Sequence, residues 1–264
     1  MSGSLRIGVI GGAGWLGGAI AGAVLDAGVV KASDLALSYR REKPGILPDA
    51  FWTADNQELA DRSDVIILSV RPQDWRSLKV DACGKLVISV MAGIRLSSLC
   101  NNHQTERAVR TLPNAAAEVG LSYTPWVASP NVREDDRTIV RAIFEACGVQ
   151  DEVASESQID YLTGLSGSGP AFPALLALAM IEHAKGQGLS AEVAHRAVVT
   201  VLKGAGRLME RREECPSDVV RTFVDYRGTT AAAIEEMRAS GFNDAVSRGL
   251  SAAFQKSVSM GDAS

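Results

Sequence analysis

Ile7-Gly-Val-Ile-Gly-Gly-Ala-Gly-Trp-Leu-Gly-Gly-Ala-Ile20 is the stretch that decides how the first half of this chain folds. Within it, G-x-G-x-x-G falls at Gly12, Gly14 and Gly17, directly after the apolar run Leu5–Ile10 and at the opening of a helical pattern. Each glycine has a task there: a tight turn, close backbone approach to a pyrophosphate, and close packing of helix on strand. The N–H groups and dipole of the helix start then face the anion. A glycine-rich turn with no ligand is the plainer alternative. Strand, turn and helix occur together, however, so Gly11, Gly12, Gly14, Trp15, Leu16 and Gly17 form the expected cradle of a dinucleotide.

Outward from this stretch, short apolar runs alternate with helical patterns from Leu5 to about Val149, the rhythm of βαβ units around a mostly parallel sheet. The expected strands are Leu5–Ile10, Leu35–Tyr39, Val65–Val70, Leu86–Val90 and Arg107–Leu112. Val65-Ile-Ile-Leu-Ser-Val and Leu86-Val-Ile-Ser-Val are apolar or small throughout, as strands covered on both faces are, so they belong in the middle. In such a fold the end of the second strand selects the cofactor, because a carboxylate there binds a ribose 2′-hydroxyl and repels a 2′-phosphate. Here that end reads Ser38-Tyr39-Arg40-Arg41 and holds no acid. The two arginines are either solvated loop charges or phosphate forks. The second reading points to NADPH.

After Asp151 β-branched runs give way to helical periodicity, which sets the expected domains at 1–152, a Rossmann-type dinucleotide-binding domain, and 153–264, an all-α domain. Ser190 reads as an N-cap, followed by Val193, Ala197, Val201, Ala205 and Leu208 as one buried face. Val246, Leu250, Ala253 or Phe254, and Ser257 or Val258 repeat the pattern in the last helix. The run Ala171–Ile181 carries no charge on any side, so it must be buried all round, by its own domain or by a partner subunit. A homodimer is the expectation.

Composition excludes several classes. The net charge of −4 gives no nucleic-acid footprint. Cys83, Cys100, Cys147 and Cys215 form no C-x-x-C pair, which leaves buried or idle thiols in a reducing compartment and no metal. No leader pattern opens Met1–Gly8, and no apolar run reaches the roughly 18 residues of a membrane span, so a cytoplasmic location without a membrane is expected. His103 sits in a polar loop, and His183 and His195 lie on helices without metal-ligand spacing. There is no G-x-S-x-G elbow and no H-E-x-x-H, so hydrolase chemistry has no support. A hydride-transfer enzyme acting on a ketone or alcohol needs a positioned acid or base. An imine can be protonated in water first, so the missing acid points towards C=N reduction.

Glu156-Ser-Gln-Ile-Asp-Tyr-Leu-Thr-Gly-Leu-Ser-Gly-Ser-Gly-Pro-Ala-Phe172 resembles the signature of pyrroline-5-carboxylate reductases, E-x-x-x-D-x-x-T-A-L-S-G-S-G-P-A-Y. Ser69-Val-Arg-Pro-Gln73, Ile88-Ser-Val-Met-Ala-Gly-Ile94, Arg110-Thr-Leu-Pro-Asn114 and Gly228-Thr-Thr230 match further family segments in the right order. The resemblance covers essentially the whole chain. It implies NADPH-dependent reduction of a cyclic imino acid to proline, with a helical domain that interleaves with its partner. It also implies that Val70, Arg71, Pro72, Gln73, Ala92 and Gly93 lie along the nicotinamide half of the cofactor, and that Asn114 lies near nicotinamide and substrate. Ser168 and Gly169 would begin a helix bordering the substrate pocket. The amides of Gly228, Thr229 and Thr230 would hold the substrate carboxylate, with the Thr230 hydroxyl reaching the imine nitrogen. Adjacent N–H groups at a helix start suit an anion on physical grounds as well. Ser168 reads equally as a plain N-cap ahead of Pro170.

Three segments depart from the family. The first glycine loop has one residue more, with Trp15 where Asn is usual; N-T-P becomes Asn114-Ala-Ala; and T-S-P-G-G-T-T becomes Val224-Asp-Tyr-Arg-Gly-Thr-Thr230. The last is either drift in a loop that works through its backbone, or a site where Tyr226 and Arg227 take a different or larger imino acid. Two other classes compete. A β-hydroxyacid dehydrogenase needs a lysine in K-x-x-N, which Ala171–His183 lacks. A non-catalytic NADPH-binding regulator would bind the cofactor without turnover.

Overall fold

A computed structural model of the protein describes residues 4–212 and 215–262. The first three residues of the start in which no leader was read lie outside them. The chain forms two compact units, 1–168 with 252–264, and 169–251.

The first unit is built on eight strands: β1 (Ile7–Ile10), β2 (Leu35–Ser38), β3 (Phe51–Thr53), β4 (Val65–Leu68), β5 (Leu86–Ser89), β6 (Arg107–Thr111), β7 (Ser122–Ala128) and β8 (Gly148–Glu152). They lie in the order β3-β2-β1-β4-β5-β6-β7-β8. The pairings are parallel except β6 with β7, so the last two strands run against the rest. β4 and β5 are central, and every residue of both is buried, which is why neither shows polar alternation.

Alternation is instead between two cores. Ile7, Val9, Leu37, Ile67, Ile88 and Val109 point to one face, where Ile20 and Val24 of α1 (Trp15–Asp26) and Ile143 and Phe144 of α4 (Glu134–Glu145) close over them. Ile10, Ala36, Ile66, Leu68, Val87 and Ala108 point to the other, under Leu59 of α2 (Asn56–Asp61) and Leu99 of α3 (Leu96–His103). The strand order reverses at β1, between β2 and β4. That crevice is where open α/β sheets bind ligands.

α5 (Glu156–Leu162) completes the first unit with a π turn at Thr163–Gly167. Arg110 on β6, exposed by 1%, donates to Glu156 at 3.1 Å and to Asp160 at 2.6 Å. Asp160 also accepts from Arg95 at 2.7 Å and from Ser257 at 3.3 Å. The two acids stand four apart, on one face of α5. This buried cluster keeps α5 and the last turns of the chain in the first unit.

The second unit contains α6 (Ala171–Gly186), α7 (Ala191–Arg212), α8 (Pro216–Asp225), α9 (Thr229–Ala239) and the first half of α10 (Phe242–Asp262). α7 carries the expected cap, Ser190 Oγ accepting from the Val193 amide at 3.3 Å. Its buried face differs from the one expected. Ala194 and Val198 are buried, while Val193, Ala197, Val201, Ala205 and Leu208 face outwards. α6 leaves Phe172, Leu175, Leu178 and Met180 exposed, and α10 leaves Val246 exposed with Leu250, Phe254 and Val258 half-buried. Among the described residues of this unit, Ala194, Val198 and Ala231 are its only buried apolar ones. Such a unit has too little core of its own. Periodicity thus found an apolar stripe, and a single chain leaves it open.

The stretch 156–186 is also long and apolar enough to span a membrane by length and composition, contrary to the reading of the bare sequence.

Candidate active site

The glycine turn lies at the carboxyl end of β1. Gly11 takes φ +86°, and a Cβ on it would come within 2.4 Å of the Ser69 carbonyl. A Cβ on Gly17 would stand 2.4 Å from the Gly11 carbonyl, so α1 packs on the turn more closely than any side chain allows. No side chain caps α1, and its first backbone bond runs from the Gly18 amide to the Gly14 carbonyl. The amides of Trp15, Leu16 and Gly17 therefore precede the helical ladder with no intrahelical acceptor. No acid stands in that first turn. The extra glycine is absorbed by tight bonds from Gly12 to the Val9 carbonyl at 3.2 Å and from Gly14 to the Gly11 carbonyl at 2.9 Å. These residues fit a pyrophosphate.

β2 meets the turn directly. Ser38 Oγ accepts from the Gly11 amide at 3.0 Å, and its carbonyl accepts from Ala13 at 3.2 Å. Ser38 is thus buried scaffolding of the turn. Tyr39 is half-buried against Trp52, ring centroids 6.5 Å apart. Arg40 donates to Asp74 at 3.3 Å, and Arg41 is exposed. Gly11, Ser38, Tyr39, Arg40, Asn56 and Asp74 share a cavity of about 240 Å³. Asp74 was not legible as a site residue, since it follows β4 in the short turn Pro72–Ser77. Its carboxyl titrates below the usual range because the Arg71 guanidinium bonds it at 2.9 Å, with Arg40 adding to the effect.

Val70 lines this cavity, whereas Pro72, Gln73 and Ala92 line another of about 300 Å³ with Trp75, Arg76 and Met260. The set expected along the nicotinamide half is therefore divided between two hollows. Gly93, at φ +77°, admits Met260 of α10, whose Cβ would lie 2.9 Å from an added Cβ. Asn114 is tied to its neighbours: Oδ1 accepts from Ala116 at 2.9 Å and Nδ2 donates to the Ser166 carbonyl at 3.0 Å. It positions the backbone after β6. Trp15 Nε1 donates to Glu118 in the same segment, tying the glycine turn to it.

Ser168 is not the N-cap of α6. Its hydroxyl donates back to the Thr163 carbonyl at 3.3 Å, and α6 begins after Pro170 with no side-chain cap. The π turn carries α5 onwards without the extended residue that a side-chain cap requires.

In the second unit, Gly228 is the N-cap of α9 and no side chain caps it. The first backbone bond runs from Ala232 to the Gly228 carbonyl at 3.3 Å, leaving the Thr229, Thr230 and Ala231 amides ahead of the ladder. Tyr226 is 85% exposed, and Arg227 takes φ +52°. Gly169 also belongs to this unit, whereas Ser168, Asn114 and the cofactor residues belong to the first. No cluster of His, Cys, Asp and Glu suited to a metal occurs among the described residues.

Known proteins are similar to this chain along its length. The family described as pyrroline-5-carboxylate reductase dimerisation matches residues 156–260, and that described as NADP oxidoreductase, coenzyme F420-dependent, matches residues 6–93. A pyrroline-5-carboxylate reductase of Synechocystis is 32% identical over 78% of this chain and 79% of its own. One of Pseudomonas aeruginosa is 31% identical over 88% and 87%. Among solved structures, a pyrroline-5-carboxylate reductase of Coxiella burnetii is 25% identical with a TM-score of 0.88, covering 98% of this chain and 99% of that one. A pyrroline carboxylate reductase of Plasmodium falciparum with NADP bound is 26% identical with a TM-score of 0.83, over 97% and 98%.

Proposed function

The chain belongs to the pyrroline-5-carboxylate reductase family, and from that premise we propose that it reduces 1-pyrroline-5-carboxylate to L-proline with NADPH. The observation that carries this is the pair of uncapped helix starts, α1 behind the glycine turn and α9 behind Gly228. Each offers a row of backbone amides to an anion.

NADPH, when bound, supplies a hydride to the C=N carbon. The Gly11–Gly17 turn and the amides of Trp15, Leu16 and Gly17 hold its pyrophosphate. Ser38, Tyr39, Arg40 and Arg41 surround the 2′-phosphate, Val70 and Arg71 border that hollow, and Pro72, Gln73, Ala92 and Gly93 follow the nicotinamide half. The Gly228, Thr229 and Thr230 amides hold the substrate carboxylate, and the Thr230 hydroxyl orients the imine nitrogen by a hydrogen bond. Asn114 positions the segment that borders both. Ser168 and Gly169 border the substrate through their backbone. No strong acid is required, because the imine nitrogen takes its proton from water before the hydride arrives.

The functional division falls at residues 152 and 153, cofactor before and substrate and assembly after. The α6 and α7 stripes pair two copies into a homodimer or an assembly of dimers, without nucleic acid or membrane, in the cytoplasm. Incubation of the purified protein with 1-pyrroline-5-carboxylate and NADPH tests the reading by the fall in NADPH absorbance. Cofactor binding with no oxidation by any cyclic imine would instead identify a regulator.

One observation favours a second substrate. Arg227 stands where the family has glycine and keeps the left-handed backbone that glycine favours, at a cost of about 1 kcal/mol. A cation held there despite strain suits an imino acid with a second acidic group. A six-membered imine dicarboxylate, assayed beside 1-pyrroline-5-carboxylate, separates the two: turnover of the five-membered substrate alone would sink this second reading.

A further inference from the structure

The end of β2 lacks the acid that ordinarily recognises a ribose 2′-hydroxyl, yet the fold brings one to the same hollow from elsewhere. Asp74 lines the cavity of Gly11, Ser38, Tyr39 and Arg40, and its Oδ2 accepts from Arg40 at 3.3 Å and from Arg71 at 2.9 Å. The cavity opens off the glycine turn, through the Ser38 hydroxyl bonded to the Gly11 amide. Two opposed recognition elements thus share one hollow and are bonded to each other. A carboxylate there accepts from a 2′-hydroxyl and repels a 2′-phosphate, while a guanidinium donates to the phosphate oxygens and is attracted by their charge.

We propose that Asp74 is a cofactor-specificity residue that sets the balance between NADPH and NADH at this site. With a 2′-hydroxyl, Asp74 accepts from the ribose and Arg40 stays paired to it. With a 2′-phosphate, Arg40 leaves Asp74 for the phosphate and Arg71 remains to neutralise the carboxylate. The side chains are placed for that exchange: Arg40 is 76% exposed and Arg71 65%, so water and a ligand reach both guanidiniums, whereas Asp74 is 28% exposed at the wall. Asp74 therefore holds down the preference for the phosphorylated cofactor that Arg40 alone would give.

The inference rests on the reading of this cavity as the adenosine-ribose subsite, and the test separates the two. Dissociation constants of NADP+ and NAD+ are measured by calorimetry on the whole protein for wild type, Asp74→Asn, Asp74→Glu and Arg40→Ala, with kcat/KM for NADPH and NADH alongside. Loss of one charged hydrogen bond corresponds to about tenfold in affinity. Asp74→Asn should tighten NADP+ and weaken NAD+ by about tenfold each. Asp74→Glu, which keeps the charge, should keep the wild-type ratio, and Arg40→Ala should weaken NADP+ alone. If Asp74→Asn moves both constants together or neither, while Arg40→Ala weakens NADP+, Asp74 sets no specificity. If Arg40→Ala leaves NADP+ binding unchanged, the subsite reading fails and the inference with it.

Discussion

Gly17 shows how little room a cofactor turn leaves. The 2.4 Å between an added Cβ and the Gly11 carbonyl cannot be relieved by a rotamer change, because the obstacle is backbone. Gly17→Ala should destabilise the turn by about 1–3 kcal/mol and weaken NADP+ binding, which calorimetry checks. His103 belongs to the same scale. It is buried, bonds the Val80 carbonyl through Nδ1 at 3.0 Å and packs edge-on against Trp75. Burial holds its pKa below the ordinary 6.5. The neutral ring is favoured by folding, so its contribution is complete above 6.5 and declines as pH falls from there through the folded value. Melting temperature should fall below that pH in wild type, and the part due to this ring should vanish in His103→Gln. At Arg227 the expectation is opposite in sign: Arg227→Gly relieves the left-handed strain and should raise stability by about 1 kcal/mol. A denaturant titration reads it.

At the scale of elements, the acids of the family signature turn out to be structural. Glu156 and Asp160 stand on α5 to meet Arg110 of β6, with Arg95 and Ser257 completing the cluster. Asp160→Ala leaves a buried guanidinium short of its partner and should cost about 3–5 kcal/mol in a urea titration. The sequence showed those two acids but not their purpose, because Arg110 lies far off in the chain. Strands were legible where burial on both faces forces an unbroken apolar run, as in Val65–Leu68 and Leu86–Ser89. The runs at β1, β2 and β6 were legible too, but β3, β7 and β8 were not. β3 has three residues, β7 contains Pro125, and β8 is an exposed edge strand with Gly148, Asp151 and Glu152 in it. The glycine turn was readable because its residues are consecutive. Asp74 was not, since only the β1–β4 crevice brings it to Arg40.

On the scale of the whole molecule, the second unit explains why the chain assembles. Val201 is 57% exposed and Leu175 69%, on helices whose apolar groove of about 500 Å³ lies between Leu178 and Val199. Leu175→Glu would place a charge in that face, so sedimentation should show a shift towards single chains, with activity falling in step. The periodicity of α7 told that an apolar stripe exists; which molecule covers it lay beyond the periodicity, because a stripe facing a core and one facing a partner have the same spacing. The central claim is chemical, and the transfer of the hydride itself tests it most directly. The protein is incubated with 1-pyrroline-5-carboxylate and NADPH deuterated at the transferring position of the nicotinamide, and the product is read by mass spectrometry. Proline carrying one deuterium at the former C=N carbon is the expected result. Bound NADPH that keeps its deuterium, with no labelled proline formed, would contradict the account.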